Sequence, residues 1–185
     1  NGKLIILVDE YSASASEIYS AAIQDYERGI IIGSTTTGKG TAQVQLDSLA
    51  HGQATLTQRK FYRVTGGSTQ NKGVIPDIRL VDIYNEEFGE RKAKNALKWD
   101  TIPTAPFKRE GSVQPYLAKL NQTSEQRVAT DPPYANWESY QASIDALVES
   151  RAKMKAHLRP PLPEEEAFIT EAANVLLDYA ALQGR

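Results

Sequence analysis

The sequence has no cysteine and only two histidines, His51 and His157. Without cysteine the chain can form neither disulfides nor thiolate zinc sites, and it has no cysteine nucleophile. Two histidines supply little material for a histidine-based catalytic triad or a multi-histidine metal site. If the protein catalyses a hydrolysis, we therefore expect its general base to be a residue other than histidine.

The sequence also lacks an excess of one charge and a long hydrophobic run. Its 21 basic and 23 acidic residues give a formal net charge of −2, whereas nucleic-acid binding needs a basic excess on one face. No apolar run approaches the roughly 20 residues that span a bilayer. The apolar fraction of 41% and the charged fraction of 24% are ordinary for a soluble globular protein. We expect neither a nucleic-acid partner nor stable membrane insertion.

An initiator Met and a signal peptide are missing from the start of the sequence. Instead, the chain enters an apolar run at residues 4–8 within three residues of its first position. This beginning resembles the middle of a domain, so we expect the chain to be part of a longer protein.

The first 32 residues have the pattern of a strand, a helix and a second strand. Residues 4–8 form a continuous apolar run, which is typical of a buried parallel strand. A helix is predicted from about Ser14 to Arg28, with Gly29 as its stop. Ile30, Ile31 and Ile32 form the second buried strand. A right-handed βαβ crossover is the default for this order.

The rest of the chain divides into two regions of different composition. Turn-forming and alternating patterns predict a loop at residues 33–40, an antiparallel strand within residues 53–64 and a turn at residues 65–68. Beyond residue 85 the pattern is charged and helical. Four helices are predicted there, at residues 86–98, 112–128, 136–158 and 164–182. We therefore predict an α/β part, residues 1–85, followed by an all-helical domain, residues 86–185.

Two residues that can carry chemistry follow the two predicted parallel strands. Ser14 lies after the first strand, where the helix begins, and Lys39 lies after the second, between Gly38 and Gly40. The carboxyl ends of parallel strands meet at one edge of a sheet, where ligands bind. A serine needs an adjacent base to become a good nucleophile. A lysine can be that base when burial favours the neutral amine.

Two further groups complete this hypothesis. The N–H of Ala15, the residue after Ser14, lies at the helix start and can donate to a developing oxyanion. Gln43 is four positions beyond Lys39 and can hydrogen-bond its amine. Because they have no side chains, Gly38 and Gly40 would let another segment of backbone come close to the groups that Lys39 contacts.

Other interpretations of the same residues stay open at this point. Ser14 could be a helix N-cap, which favours serine, and Ser12 and Ser16 are rival nucleophiles. The segment from Gly33 to Lys39 fits the start of a nucleotide-binding P-loop, G-x-x-x-x-G-K. However, Gly40 stands where the magnesium-binding Ser or Thr should be, and the residues that follow do not have a helical pattern.

Four segments together resemble the carboxyl-terminal processing peptidases, also called tail-specific proteases. They are residues 8–17, 24–26, 38–43 and 60–77. In that family the nucleophilic serine precedes the lysine by 25 positions, as Ser14 precedes Lys39. The resemblance also places a supporting glutamine at Gln43 and an aspartate important in the tail-specific branch at Asp25. It covers about the first 85 residues; the helical remainder is similar, more weakly, to the C-terminal extension of long Gram-negative members.

The resemblance implies a fold and a function. The fold would be a crotonase- and ClpP-like core, and the activity that of a serine endopeptidase acting on protein or peptide substrates with free C-termini in the bacterial periplasm. It implies no metal and no nucleotide, and it leaves open an adaptor or further copies of the chain as partners. The family's PDZ domain and earlier protease half are not in the sequence, so we expect the isolated chain to be inactive. The alternative, from another class, is a non-catalytic scaffold or binding module.

Overall fold

The structure is a computed structural model that describes residues 2–46, 51–80, 89–130 and 163–184. The chain divides into two compact units, residues 2–115 and residues 116–185. The first unit contains the strands and every candidate residue named above. Each unit is described by itself in the following paragraphs.

A parallel sheet forms the centre of the first unit. Its strands β1 (Ile5–Val8), β2 (Ile30–Gly33) and β5 (Ile78–Arg79) lie in the order β1-β2-β5, and both pairings are parallel. The three isoleucines of β2 are completely buried, as expected for a central strand covered on both faces. The predicted strands and their parallel pairing are confirmed. The predicted burial of the first strand is wrong in part, because β1 is an outer strand of this sheet and Leu7 is 40% exposed.

Helix α1 (Ala15–Asp25) connects β1 to β2 and packs against β2. Its Ala21 joins Val8, Ile31 and Val74 in a buried apolar cluster. The helix ends before the predicted Arg28 because the chain turns at Glu27, whose φ is 51°. The α/β class of this unit therefore agrees with the prediction.

Two antiparallel strands follow the second parallel strand. They are β3 (Thr41–Leu46) and β4 (Ala54–Lys60), and the register between them shifts at Ala42 and Gln43. The antiparallel strand expected within residues 53–64 is confirmed. The chain then turns back on itself, because the N–H of Gly66 donates to the carbonyl of Arg63 at 2.9 Å.

Residues 89–113 form a mostly extended segment that we call the strap. It contains one 3-10 turn, Glu90–Lys92, and its backbone bonds to the turn that follows β4. The N–H of Ser68 donates to the carbonyl of Asp100, and the N–H of Ile102 donates to the carbonyl of Gly66. The predicted helix at residues 86–98 is wrong from residue 89 onward, where the structure has a 3-10 turn followed by irregular backbone; residues 86–88 lie outside the described residues.

Two helices are described in the second unit. They are α2 (Gln114–Thr130), which begins just before the unit boundary, and α3 (Pro163–Leu182). Both were predicted to within two residues; the helix predicted at residues 136–158 lies outside the described residues. Arg127 of α2 binds Glu171 and Asp178 of α3 at 2.8 and 2.6 Å. Its bonds to Glu171 raise the pKa of the guanidinium. No helix within the described ranges is long and apolar enough to cross a membrane.

Candidate active site

Ser14 occupies a strained position between β1 and α1. It is the N-cap of α1, and its φ of 56° and ψ of −110° are unusual for a residue with a side chain. Its rivals are placed differently. Ser12 closes a turn by donating its hydroxyl to Asp9 Oδ1 at 2.8 Å, and Ser16 is an exposed residue in the first turn of α1. Of the three serines, Ser14 is therefore the one held at a sharp strand-to-helix turn.

Ala15 is the first residue of α1 and is exposed. The N–H groups in the first turn of a helix have no acceptor within the helix, and they carry the positive end of the helix dipole. The Ala15 N–H thus belongs to the free donors next to Ser14. This is the placement that an oxyanion donor needs.

The carboxylate of Glu17 connects Ser14 to Lys39. Glu17 is completely buried, and its Oε2 accepts the backbone N–H of Ser14 and the backbone N–H of Lys39, each at 2.8 Å. Since both nitrogens lie 2.8 Å from one oxygen, they can be no farther apart than twice that distance. The structure therefore brings the backbones of Ser14 and Lys39 to one place at the edge of the sheet.

The other carboxylate oxygen of Glu17 fixes the loop that leads to Lys39. Its Oε1 accepts the hydroxyl of Thr36 at 2.5 Å and the backbone N–H of Gly38 at 2.6 Å. Thr36 is also buried, and its hydroxyl accepts the backbone N–H of Val74 at 2.7 Å. Sequence reasoning missed Glu17. The Ser-x-x-Glu spacing of a capping box, Ser14 to Glu17, was the signal that could have found it.

A second set of bonds joins the loops that follow β1 and β2. The backbone N–H of Thr37 donates to the carbonyl of Ser12 at 3.1 Å, and its hydroxyl donates to the carbonyl of Glu10. The hydroxyl of Ser34 donates to Glu10 Oε2 at 3.0 Å. The two loops are thus held together at several points along their length, so that neither can shift without the other.

The glycines that flank Lys39 make room for residues 70–71. A Cβ on Gly40 would lie 2.5 Å from the backbone nitrogen of Gln70, and one on Gly38 would lie 3.0 Å from the carbonyl carbon of Asn71. The backbone that the glycines admit is therefore that of residues 70–71. Lys39 itself is half-buried between them.

Gln43 lies on β3 at the register shift and is exposed. Its side-chain Nε2 donates to the hydroxyl of Thr57 on β4 at 3.3 Å. Its role as the partner that orients the Lys39 amine stays a prediction.

Asp25 lies at the opposite end of α1 from Ser14. With a rise of about 1.5 Å per residue, the 11 residues of α1 separate the two ends by about 16 Å. The Asp25 side chain is 6% exposed and binds Arg63 at 2.5 Å. A second guanidinium nitrogen of Arg63 donates to the same carboxylate at 3.0 and 3.2 Å. The structure does not bring Asp25 to Ser14 and Lys39; it places Asp25 where it holds the segment after β4.

The loop with the P-loop-like pattern does not have the form of a phosphate site. A P-loop offers its free backbone N–H groups to phosphate and continues into a helix. Here the N–H groups of Gly38 and Lys39 already bind the carboxylate of Glu17, and the chain continues into strand β3. This geometry argues against nucleotide binding. Among the residues described, no cluster of three or more His, Cys, Asp or Glu could hold a metal.

Sequence comparisons match two consecutive stretches of the chain. Residues 1–80 match the model of "Peptidase family S41", and residues 83–159 match that of the "C-terminal domain of tail specific protease". Both matched stretches are therefore similar to parts of the carboxyl-terminal processing peptidases. The resemblance seen in the sequence is therefore confirmed, and both halves of the chain take part in it.

Individual members of this family show the same similarity. The tail-specific protease of Haemophilus influenzae is 46% identical over 146 residues, which cover 72% of this chain and 21% of that protein. The carboxy-terminal-processing protease of Bartonella bacilliformis is 41% identical over 85 residues, or 46% of this chain and 20% of that protein. The solved photosystem II D1 C-terminal processing protease is 37% identical, with a TM-score of 0.38 over 42% of this chain and 20% of that one. The chain thus spans about a fifth of the length of the curated relatives it matches.

Proposed function

We propose that this chain supplies the nucleophile and the general base of a serine endopeptidase that cleaves protein substrates near their C-termini. One observation carries the proposal: a single buried carboxylate, that of Glu17, binds the backbone N–H of both Ser14 and Lys39. The match of residues 1–80 to a peptidase family adds to it. A serine on a strained turn and a lysine beside it are the two groups that such a reaction needs.

Each group has one role in the proposed reaction. The Oγ of Ser14 attacks the carbonyl carbon of the scissile bond while the amine of Lys39 takes the hydroxyl proton. The Ala15 N–H donates to the oxyanion of the tetrahedral intermediate. As the C–N bond breaks, Lys39 gives its proton to the leaving amine. Water then attacks the acyl ester on Ser14, with Lys39 again as base, and the product acid leaves.

Other parts of the proposal depend on the family resemblance. Gln43 would orient the Lys39 amine, and Asp25 would position the site from a distance through Arg63. The core would be crotonase- and ClpP-like, the residues beyond the strap would form a helical domain, and the protein would work in the periplasm. Substrates would present free C-termini.

The proposal is tested by peptide cleavage with the full-length protein. We expect Ser14→Ala and Lys39→Met each to reduce kcat/KM at least 1,000-fold, since removing a member of such a unit costs orders of magnitude. Ser16→Ala and Lys94→Met change an exposed serine and an exposed lysine and should stay within twofold of wild type. Full turnover by Ser14→Ala would refute the proposal.

A scaffold without activity is the competing function. A fluorophosphonate probe separates the two, because it should label Ser14 in a peptidase and leave a scaffold unlabelled. The isolated chain is expected not to turn over peptides, since it spans only about a fifth of its relatives. Cleavage by the isolated chain that disappears in Ser14→Ala would contradict that expectation alone.

A further inference from the structure

We propose that Glu90 is a positioning residue for the loop that carries Lys39, and that it acts through Gln70. This inference rests on the proposed function, because it assigns Glu90 a role with respect to the general base. Glu90 lies in the strap, within the residues that match the C-terminal domain of tail specific protease. Lys39 lies within the residues that match the peptidase family. The inference thus couples the two parts of the chain.

The side chain of Gln70 is the link between them. It is completely buried, and both ends of its amide are used. Its Oε1 accepts the backbone N–H of Gly40, the residue after Lys39, at 2.9 Å. Its Nε2 donates to Glu90 Oε1 at 3.2 Å. Gln70 therefore connects the carboxylate of Glu90 to the backbone next to Lys39.

The negative charge of Glu90 favours one of the two orientations of the Gln70 side-chain amide. A carboxylate only accepts hydrogen bonds, so the NH2 end of Gln70 must face Glu90 and its oxygen must face the Gly40 N–H. Without the carboxylate, only the longer bond from Gln70 Nε2 to Asn71 Oδ1, at 3.4 Å, would distinguish the two ends of the amide. A reversed amide would set an NH2 group against the Gly40 N–H, which would keep only its longer bond to the carbonyl of Gly38, at 3.2 Å.

The backbone of the strap touches the same loop on the other side of Lys39. The N–H of Glu90 donates to the carbonyl of Thr37 at 2.9 Å. Gly89 has a φ of 107°, and a Cβ there would lie 2.8 Å from the same carbonyl. Residues 89–90 thus contact the loop directly before Lys39 and, through Gln70, directly after it. A shift of the strap would therefore move the backbone that positions Lys39.

The test compares three variants of the full-length protein with wild type. Glu90→Ala removes the acceptor, Glu90→Gln keeps an oxygen that can accept from Gln70, and Arg91→Ala is a matched control on the same turn, with an exposed side chain. Cleavage of one peptide is followed as kcat, per serine labelled with a fluorophosphonate, and as KM, between pH 6 and pH 10. Melting temperatures are recorded for all three.

We expect Glu90→Ala to lower kcat per labelled serine about tenfold and to leave KM within twofold. This loss in kcat should persist across the whole pH range. Glu90→Gln should recover at least half of the activity, and Arg91→Ala should match wild type.

Three results would overturn the inference while the proposed function stands. They are equal kcat for Glu90→Ala and Arg91→Ala, a Glu90→Gln variant as poor as Glu90→Ala, and a loss explained entirely by a lower melting temperature. If wild type itself fails to cleave, or Ser14→Ala cleaves equally well, the proposed function fails first and the inference fails with it.

Discussion

The two ends of helix α1 each hold a buried carboxylate, and the two are satisfied in different ways. At the N-terminal end, Glu17 binds three backbone N–H groups and the hydroxyl of Thr36. At the C-terminal end, Asp25 binds the guanidinium of Arg63. One end therefore fixes the path of the backbone, whereas the other fixes a side chain of a neighbouring segment.

The two ends of α1 thus differ in what they leave free: one leaves the candidate side chains unused, whereas the other uses its side chains in an ion pair. Backbone bonds to Glu17 leave the side chains of Ser14 and Lys39 available for chemistry while their main chains are held in place. The ion pair at the other end uses the side chains themselves, so Asp25 is engaged in structure. Under the proposed function, the chemistry lies at the N-terminal end of the helix and the mechanical anchor at its C-terminal end.

Replacement of Glu17 by glutamine should have the largest effect on this comparison. Glutamine has nearly the same shape, but its NH2 group would face N–H donors that need an acceptor. We expect a loss of about 3–4 kcal/mol in the free energy of unfolding and at least a tenfold loss of peptide cleavage. Urea denaturation and peptide kinetics measure the two effects. Glu125→Gln, on an exposed position of α2, is the control and should change neither quantity. If Glu17→Gln has the stability and activity of wild type, Glu17 does not hold the site as described.

Asp25 and Arg63, at the C-terminal end of α1, should contribute to the free energy of unfolding as a coupled pair. Asp25→Asn is expected to cost about 2–3 kcal/mol, because it leaves a partly buried guanidinium without its counter-charge. Arg63→Met in the same background should cost less than it does alone, with a coupling of about 1–3 kcal/mol. A double-mutant cycle by urea denaturation gives this value. Additive losses would mean that the two residues act independently.

A methyl group added at Gly40 tests how closely the loop that carries Lys39 packs against its neighbours. Gly40→Ala places a Cβ 2.5 Å from the nitrogen of Gln70, so the two backbones must separate, at a cost of about 1–3 kcal/mol. Gly67→Ala is the matched control, since its Cβ would meet only the Trp99 ring at 3.9 Å and should change stability by less than about 0.5 kcal/mol. Equal melting temperatures for the two variants would show that the loop is not packed as described.

The smallest expected effect is a pH dependence near the C-terminal end of α1. Burial raises the pKa of the Asp77 carboxyl, although bonds from the Ile31 N–H and the Gln24 side chain oppose the rise. The folded protein then binds this proton more tightly than the unfolded chain. The contribution of Asp77 to stability therefore falls as the pH increases from about 3.8 through the raised pKa.

Unfolding free energies of wild type and Asp77→Asn, measured between pH 4 and pH 7, test this direction. The difference between them should become less favourable to wild type as the pH rises. Asp100 gives the opposite case, because hydrogen bonding to Lys60 lowers the pKa of its carboxyl, so its contribution is lost as the pH falls. If the difference in unfolding free energy from wild type changed with pH in the same direction for Asp77→Asn and Asp100→Asn, the opposite pKa shifts assigned to the two carboxyls would be wrong.

The sequence was sufficient for the first βαβ unit and for the placement of two site residues. Continuous apolar runs marked β1 and β2, and parallel strands must end at a common edge, so the convergence of the Ser14 and Lys39 backbones followed from topology. Helix α3 was found because its apolar positions repeat on one helical face, and α2 was found as a helical stretch at residues 112–128. All of these features can be predicted from the order of apolar and polar residues within a short stretch of the chain.

The parts that were missed depend on contacts between distant residues. Glu17 had the pattern of an ordinary polar helix position, and its burial results from the loop at residues 36–39 folding over it. Only the start of the strap was predicted to be helical, as part of residues 86–98, because that segment is charged. Farther along the strap, at Asp100 and Ile102, the backbone bonds to a turn some 30 positions earlier, a pairing that no local pattern reveals.

The rate at which a fluorophosphonate labels Ser14 tests the central claim most directly, since labelling requires an activated hydroxyl and no peptide binding. In the full-length protein at pH 8, we expect Lys39→Met to lower the second-order rate constant at least 100-fold. Lys94→Met should leave it within twofold of wild type. Equal rates for wild type and Lys39→Met would show that Lys39 does not activate Ser14.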